Sequence, residues 1–209
     1  MSEITLERFI LNSSNSSSLL EIAKCYQEVF ADPPWNEWKL CEKCKRNFGR
    51  AEDVSSACEC GGNLKPFWPL ETVIGDLKYE LSDGSICWIA MDESRIIGFS
   101  WSYPISAESL EEKLQLAGLA LMIHLEANGA PVAYIDEIGV LLPYRQHGIA
   151  RLLYDKQVDE FRKRGIRFFT ARTKKHPPTV VYHWFKRVGY KEIAEYNETD
   201  GRVVLGATL

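Results

Sequence analysis

Six cysteines occur in the chain, and four of them crowd into one short stretch: Cys41-x-x-Cys44 and Cys58-x-Cys60. Each pair makes a knuckle from which two sulfurs can reach one ion, and Gly61-Gly62 behind the second pair permits the tight backbone this needs. Zinc takes thiolates well and favours four tetrahedral ligands. Four protein ligands leave no open position, so a metal held here would be structural and not catalytic. The surrounding segment, Lys39 to Lys65, is polar and poor in aliphatic residues. A loop of that length without a core of its own is uncommon. Structural zinc supplies about 10–16 kcal/mol of apparent binding energy in finger peptides, ample to order it. Two disulfides or a redox pair are the alternatives, and disulfides are disfavoured in a reducing compartment. Cys25 and Cys87 stand alone in apolar segments and read as buried core thiols.

The second constellation is Asp136-Glu137, followed by Pro143, Arg145 and Gly148. Val132 to Ile135 lead in with the pattern of a strand, whose period of two sends adjacent carboxylates to opposite faces. Pro143 stops that strand, because it has no N–H for a ladder. After Gly148, the apolar residues Ile149, Leu152, Leu153 and Phe161 recur at helical spacing. Arg162, Lys163 and Arg164 then meet the negative end of the helix, and Gly165 caps it. A loop that opens a helix this way aims free amides at one point, a ready site for phosphate. Arg145 adds a charged fork of donors, and Gly148 lets an anion approach the backbone.

The order Arg-x-x-Gly-x-Ala formed by Arg145, Gly148 and Ala150 resembles the pyrophosphate loop of the GNAT superfamily of acetyltransferases. Val140 matches the strand end of that family, and the segment ending at Gly189 gives a second match. The resemblance implies acetyl-CoA as co-substrate, held by Ile138, Gly139, Val140, Arg145, Gln146, His147, Gly148, Ile149 and Ala150. It implies an α+β GNAT fold over residues 1–209, a central mixed β-sheet flanked by helices; the zinc-ribbon-like insert read from the cysteines at residues 39–65, between the first two helices, is the main exception to it. It also places Glu137 as general base, with Asp136 as the adjacent carboxylate. The tyrosine that often serves as general acid corresponds to Phe185, which has no proton to give. Tyr182, one helical turn earlier, is the substitute; His176 and His183 are further candidates.

The implied reaction is direct attack of an amine, on a small molecule or a protein, on the thioester in a ternary complex. A lysine-type amine has a pKa of ~10.4 and is almost wholly protonated at neutral pH, so a base or a water path must take its proton. A different class of reading is a non-catalytic acyl-CoA-binding module that docks a partner through the knuckle. A third is nucleic-acid binding through Lys39, Lys43, Lys45, Arg46 and Arg50. The net charge of -4 argues against nucleic acid as the main partner. Trp35, Trp38, Trp68, Trp101 and Tyr103 can line an acceptor pocket or a core.

The length of 209 residues suits one domain with a sizeable core. No apolar run approaches the ~20 residues that span a bilayer, and Met1-Ser2-Glu3-Ile4 lacks the start of a signal peptide, so a cytoplasmic protein is expected. Monomer and homodimer both remain open. The remaining pattern predicts a strand from Ile4 to Leu11, a capping turn from Asn12 to Ser18, and a helix to Phe30 ended by Asp32-Pro33-Pro34. A helix follows Pro69 with Leu70, Val73, Ile74, Leu77 and Leu81 on one face. After a turn at Asp83-Gly84, a hairpin turns at Asp92-Glu93-Ser94 and closes at Pro104. A single inserted helix runs from Glu108 to Glu126. A strand from Arg167 to Arg172 lies parallel to the one before it, since a helix crosses between them. A helix from Thr179 to Val188 turns Val180, Val181, Trp184 and Val188 inward, and a hairpin around Thr199-Asp200-Gly201 closes the chain.

Overall fold

The computed structural model describes residues 3–11, 16–52, 57–82, 84–197 and 200–209. Residues 12–15, 83 and 199, on which three of the expected turns depend, lie outside the described residues. The strand β1 (Ile4–Phe9) leads to α1 (Ser16–Ala31), then to three short strands, β2 (Lys39–Cys41), β3 (Asn47–Phe48) and β4 (Leu64–Pro66). After α2 (Leu70–Glu80) come β5 (Ile86–Asp92) and β6 (Arg95–Ile105), then α3 (Ala107–Leu114) and α4 (Leu119–Ala127). The chain continues through β7 (Val132–Val140), α5 (Ile149–Lys163), β8 (Phe168–Lys174), α6 (Val180–Arg187), β9 (Lys191–Glu195) and β10 (Arg202–Thr208). The large sheet has the order β1-β5-β6-β7-β8-β10-β9. It is mixed: β7 and β8 run parallel, while β1 with β5 and β10 with both β8 and β9 run antiparallel. The small strands form a separate sheet, β3-β2-β4, between α1 and α2.

The chain divides into two compact units. The first holds Met1–Ser82, Cys87–Phe99 and Ile138–Leu153. There α1 packs along α2, and Tyr26 on α1 stacks on Phe99 with ring centroids 5.7 Å apart. Pro69 precedes α2, whose expected face buries Val73, Leu77 and Leu81.

The second unit holds Asp83–Ile86, Ser100–Glu137 and Tyr154–Leu209. Here the single inserted helix is two. Gln115 adopts left-handed φ at the end of α3, and Gly118 does so before α4, so the axis breaks between them. Ser106 caps α3 by accepting the Ser109 N–H at 3.1 Å. Leu110, Leu114, Leu119 and Ile123 bury together against Val132, Tyr134, Phe168 and Val204. Each such side chain contributes roughly 1.5–3 kcal/mol before entropic costs. The outer side of α4 leaves Leu121 and Leu125 exposed.

Other boundaries moved for simple reasons. Pro104 lies inside β6 near its end, where a missing donor costs little. On α6, Val180 is 79% exposed and Phe185 2% exposed, so the apolar face is rotated from the expected one. Leu152 is likewise half exposed, while Ile149, Leu153 and Phe161 are buried as expected. Gly165 N–H reaches Arg162 O and Ile166 N–H reaches Phe161 O, which closes the last turn of α5.

Candidate functional site

In the first unit, β7 ends at Val140 and the chain makes one 3-10 turn, Leu142–Tyr144, containing Pro143. Arg145 is extended, and Gln146 and Gly148 both have positive φ, 66° and 81°. Within α5, Leu152 N–H returns to Gly148 O at 3.1 Å. The amides of Ile149 and Ala150 therefore lie in the first helical turn, where no intrahelical carbonyl is available to them. A Cβ built on Gly148 would meet nothing within 4 Å, so the space beside its backbone is open. Positive φ and open approach are both what an anion-holding loop requires. His147 Nδ1 lies 2.8 Å from Arg145 O and folds the loop back on itself.

Gly139 serves a different need. A Cβ there would meet Phe99 at 2.6 Å and Val29 at 2.8 Å, so glycine at this place is a packing requirement. Arg145 is also more engaged than its sequence suggests. Its Nε donates to Val140 O at 2.9 Å, one Nη to Val29 O at 3.0 Å, and the other to Pro33 O. Burial holds its pKa below the ordinary guanidinium value, and Asp32 acts against that. The guanidinium thus ties the loop to the end of α1.

The nominated catalytic residues lie in the second unit. Asp136, 8% exposed at its side chain, accepts from Tyr103 Oη at 2.6 Å and from Lys113 Nζ at 3.2 Å. Tyr134 lies two residues before it on the same face of β7, deeply buried, and burial pushes its phenol well above the ordinary value. Glu137 follows on the opposite face by strand alternation and is half-buried. Tyr182 donates its phenolic proton to Glu192 Oε1, and this bond raises its pKa. Lys175 joins the same group, 2.7 Å from Glu192, and with Tyr182 holds Glu192 down at about 2. Phe185 packs on Tyr190 with centroids 4.7 Å apart. His176 and His183 are exposed; His183 borders a shallow depression of about 530 Å³ with Val180, Lys186 and Arg187. Lys113 and Glu192 were not foreseen as partners of Asp136 and Tyr182. Both contacts depend on how a helix or edge strand docks, which leaves no local signal.

The aromatic residues divide. Trp101 is buried core, Trp68 donates to Glu37 Oε2 at 2.8 Å, and Trp38 is partly exposed beneath the Arg50 guanidinium.

The cysteine insert brings its four sulfurs together, all within 4.8 Å of one another. Cys41 and Cys60 are 3.5 Å apart and Cys44 and Cys58 are 3.7 Å apart. Thiolates around one zinc at ~2.3 Å stand about 3.8 Å from each other in a tetrahedron, so the donor set fits a metal of this kind. Backbone N–H donors, from Cys44 first, lower the Cys41 thiol to about 6. At Cys58 the Cys60 N–H also lowers the pKa, but burial and the neighbouring thiols win and push it to about 12. A divalent cation would relieve that mutual opposition. Gly62 lies so close that a Cβ would come within 2.7 Å of Cys41 Sγ. The basic side chains of the insert are largely engaged: Arg46 with Glu52 and Glu59, Lys65 with Glu42, Lys43 with Cys60 O. Cys25 and Cys87 are buried core thiols, each pushed up to about 12 mainly by burial.

Residues 57–190 match the model of the acetyltransferase (GNAT) family. The chain belongs to the GNAT family of acetyltransferases. Family members use acetyl-CoA. Solved GNAT-like structures resemble the chain over nearly its whole length. PaiA N-acetyltransferase of Thermoplasma acidophilum, in complex with coenzyme A, is 12% identical, covers 99% of each chain and has a TM-score of 0.58. An aminoglycoside N-acetyltransferase in complex with CoA is 14% identical, with 94% of this chain and 93% of its own covered and a TM-score of 0.57. The ribosomal-protein-S18-alanine N-acetyltransferase of Escherichia coli is 12% identical, with 99% and 94% covered and a TM-score of 0.53. At such identities the likeness is one of fold. No curated protein sequence matches the chain. No helix among the described residues is long and apolar enough to cross a membrane.

Proposed function

We propose that this GNAT protein moves the acetyl group of acetyl-CoA to an amine acceptor by direct attack, with both substrates bound. The carrying observation is the loop of residues 145–150, where a helix start offers amides without intrahelical acceptors beside the open backbone of Gly148. Ile138, Gly139 and Val140 lead the β7 backbone into that loop. Backbone amides at such a strand end can polarise the thioester carbonyl. Glu137 takes the proton of the ammonium acceptor. Asp136 is less suited, because its carboxylate already accepts from Tyr103 and Lys113. Tyr182 is a poor acid, since its proton is held by Glu192. The departing thiolate is then protonated from solvent.

We read residues 1–209 as one acetyltransferase domain and residues 39–65 as its insert, with zinc on Cys41, Cys44, Cys58 and Cys60 as a structural centre. A reducing, cytoplasmic setting suits a quartet of thiols of this kind. The named acceptors of neighbours, an alanine of a ribosomal protein and an aminoglycoside, include both protein and small-molecule amines, and both kinds belong in the assay.

The test is release of free thiol from acetyl-CoA across a panel of peptide and small-molecule amines. Acceptor-dependent release is expected. Glu137→Gln should lower kcat by about 100-fold or more, the range of general-base loss. The deficit should narrow as pH rises and more of the amine is already neutral. An unchanged rate and pH profile would remove Glu137 from the chemistry. A second reading, a binding-only module, is favoured by the buried Phe185 ring and the engaged Tyr182. Tight CoA binding without release on any amine would select it.

A further inference from the structure

The last carbonyls of a helix have no partners inside it. Those at the end of α1 and just beyond it can be followed one by one. Phe30 O accepts the Glu37 N–H at 2.7 Å, and Ala31 O accepts the Arg50 N–H at 2.9 Å. Glu28 O accepts from the Arg50 guanidinium at 3.1 Å. Val29 O and Pro33 O accept from the Arg145 guanidinium. Two arginines from distant parts of the chain therefore share one helix terminus. Arg145 opens the coenzyme loop, and Arg50 follows β3 of the cysteine insert. Both cations stand at the negative end of the helix, where their charge is favoured. Asp32 lies between their influences: it is 3.9 Å from Arg50 Nε and supports the charge on Arg145.

The path from Arg50 to the thiols is equally short. Phe48, two residues earlier, is buried with Cys41 and Cys58 in the small core of the insert. Its carbonyl accepts the Trp38 N–H at 2.9 Å. Gly49 sits against Asn36, where a Cβ would come within 2.7 Å of the amide oxygen, and donates its N–H to Glu52 at 2.8 Å. A metal held by the four thiols would hold Cys41 and Cys58 against Phe48, two residues before Arg50.

We propose that Arg50 is a positioning residue for the coenzyme loop: it holds the end of α1, whose carbonyls Arg145 grips, so that metal in the cysteine insert and coenzyme in the loop strengthen each other's binding. The proposal rests on the reading that residues 145–150 hold the coenzyme. It makes the insert part of the coenzyme-binding apparatus. Coupling between sites is reciprocal and commonly amounts to about 5- to 150-fold, so CoA should tighten the metal by the same factor by which metal tightens CoA.

The test uses the full chain, zinc-loaded or chelator-stripped, with CoA binding measured by calorimetry and backbone hydrogen exchange measured without CoA. Stripping should weaken CoA binding about tenfold, within the usual coupling range. Arg50→Ala, with its metal content verified, should weaken CoA binding and speed exchange at the end of α1 and at residues 146–152, while β9 and β10 stay protected. Arg50→Lys should recover part of both, because it restores the charge beside Glu28 and Asp32. Stripping the alanine variant should cost less than stripping the wild type. Normal CoA affinity and unchanged loop exchange in metal-loaded Arg50→Ala would overturn the proposal while leaving the loop assignment intact. A wild-type protein that bound no CoA, or bound it without protecting residues 145–150, would overturn the loop assignment and the coupling with it.

Discussion

The cysteine insert and the loop of residues 145–150, proposed to hold the coenzyme, are held in different ways. The insert supplies its own fastening: four converging sulfurs, a single buried Phe48, and ion pairs between its own side chains. The loop supplies little. Its shape is imposed by β7 before it, α5 after it, and carbonyls of α1 that take up Arg145. A self-fastened segment can be inserted between two helices without redesign of the core. A loop shaped by its neighbours is as rigid as they are, and changes in packing reach it directly.

That contrast is easiest to break at the thiols. Cys41→Ser with Cys58→Ser should abolish stoichiometric metal binding and expose residues 39–66 to proteolysis, because a structural site is worth on the order of 10 kcal/mol in finger peptides. Metal analysis and limited digestion read this out, and a protease-resistant insert without metal would show that it does not depend on the ion. Next in size, Arg145→Glu with Gly148→Glu should eliminate CoA binding in a calorimeter. Gly148→Glu alone should cause most of that loss; its side chain enters open space, so its cost in stability should be the left-handed strain of a non-glycine residue at φ 81°, roughly 1–2 kcal/mol. Gly139→Ala should act instead on stability, by about 1–3 kcal/mol of overpacking against Phe99 and Val29, measurable by urea unfolding. The smallest effect should come from Arg46→Ala. Its pairs with Glu52 and Glu59 are exposed, and such pairs contribute about 0–1 kcal/mol, so the melting temperature should barely move while metal is bound.

What could be read from the residues follows the same division. The thiol spacing, the strand running into Arg145 and Gly148, and the apolar face of α2 are local signals, and each stands where expected. The parallel pairing of β7 and β8 followed from the crossover helix. Local pattern failed where a choice depended on a partner. The segment from Glu108 to Glu126 looked like one helix, but two left-handed residues, Gln115 and Gly118, divide it so that both halves bury in the same core cluster. Val180 and Phe185 on α6 are both apolar, and only tertiary packing decided which turned inward. Arg145 showed its charge in the sequence but not its attachment to Val29 and Pro33, because that attachment joins distant segments.

Phe185 carries a consequence for the end of the reaction. Its ring fills space against Tyr190 and exchanges a hydroxyl for contact area. If the sulfur product collects its hydrogen from the bulk, turnover should show no alkaline limb owed to a residue of the final helix. Small buffer acids should then be able to stand in for the missing donor, and raising their concentration should quicken any turnover limited by that last transfer.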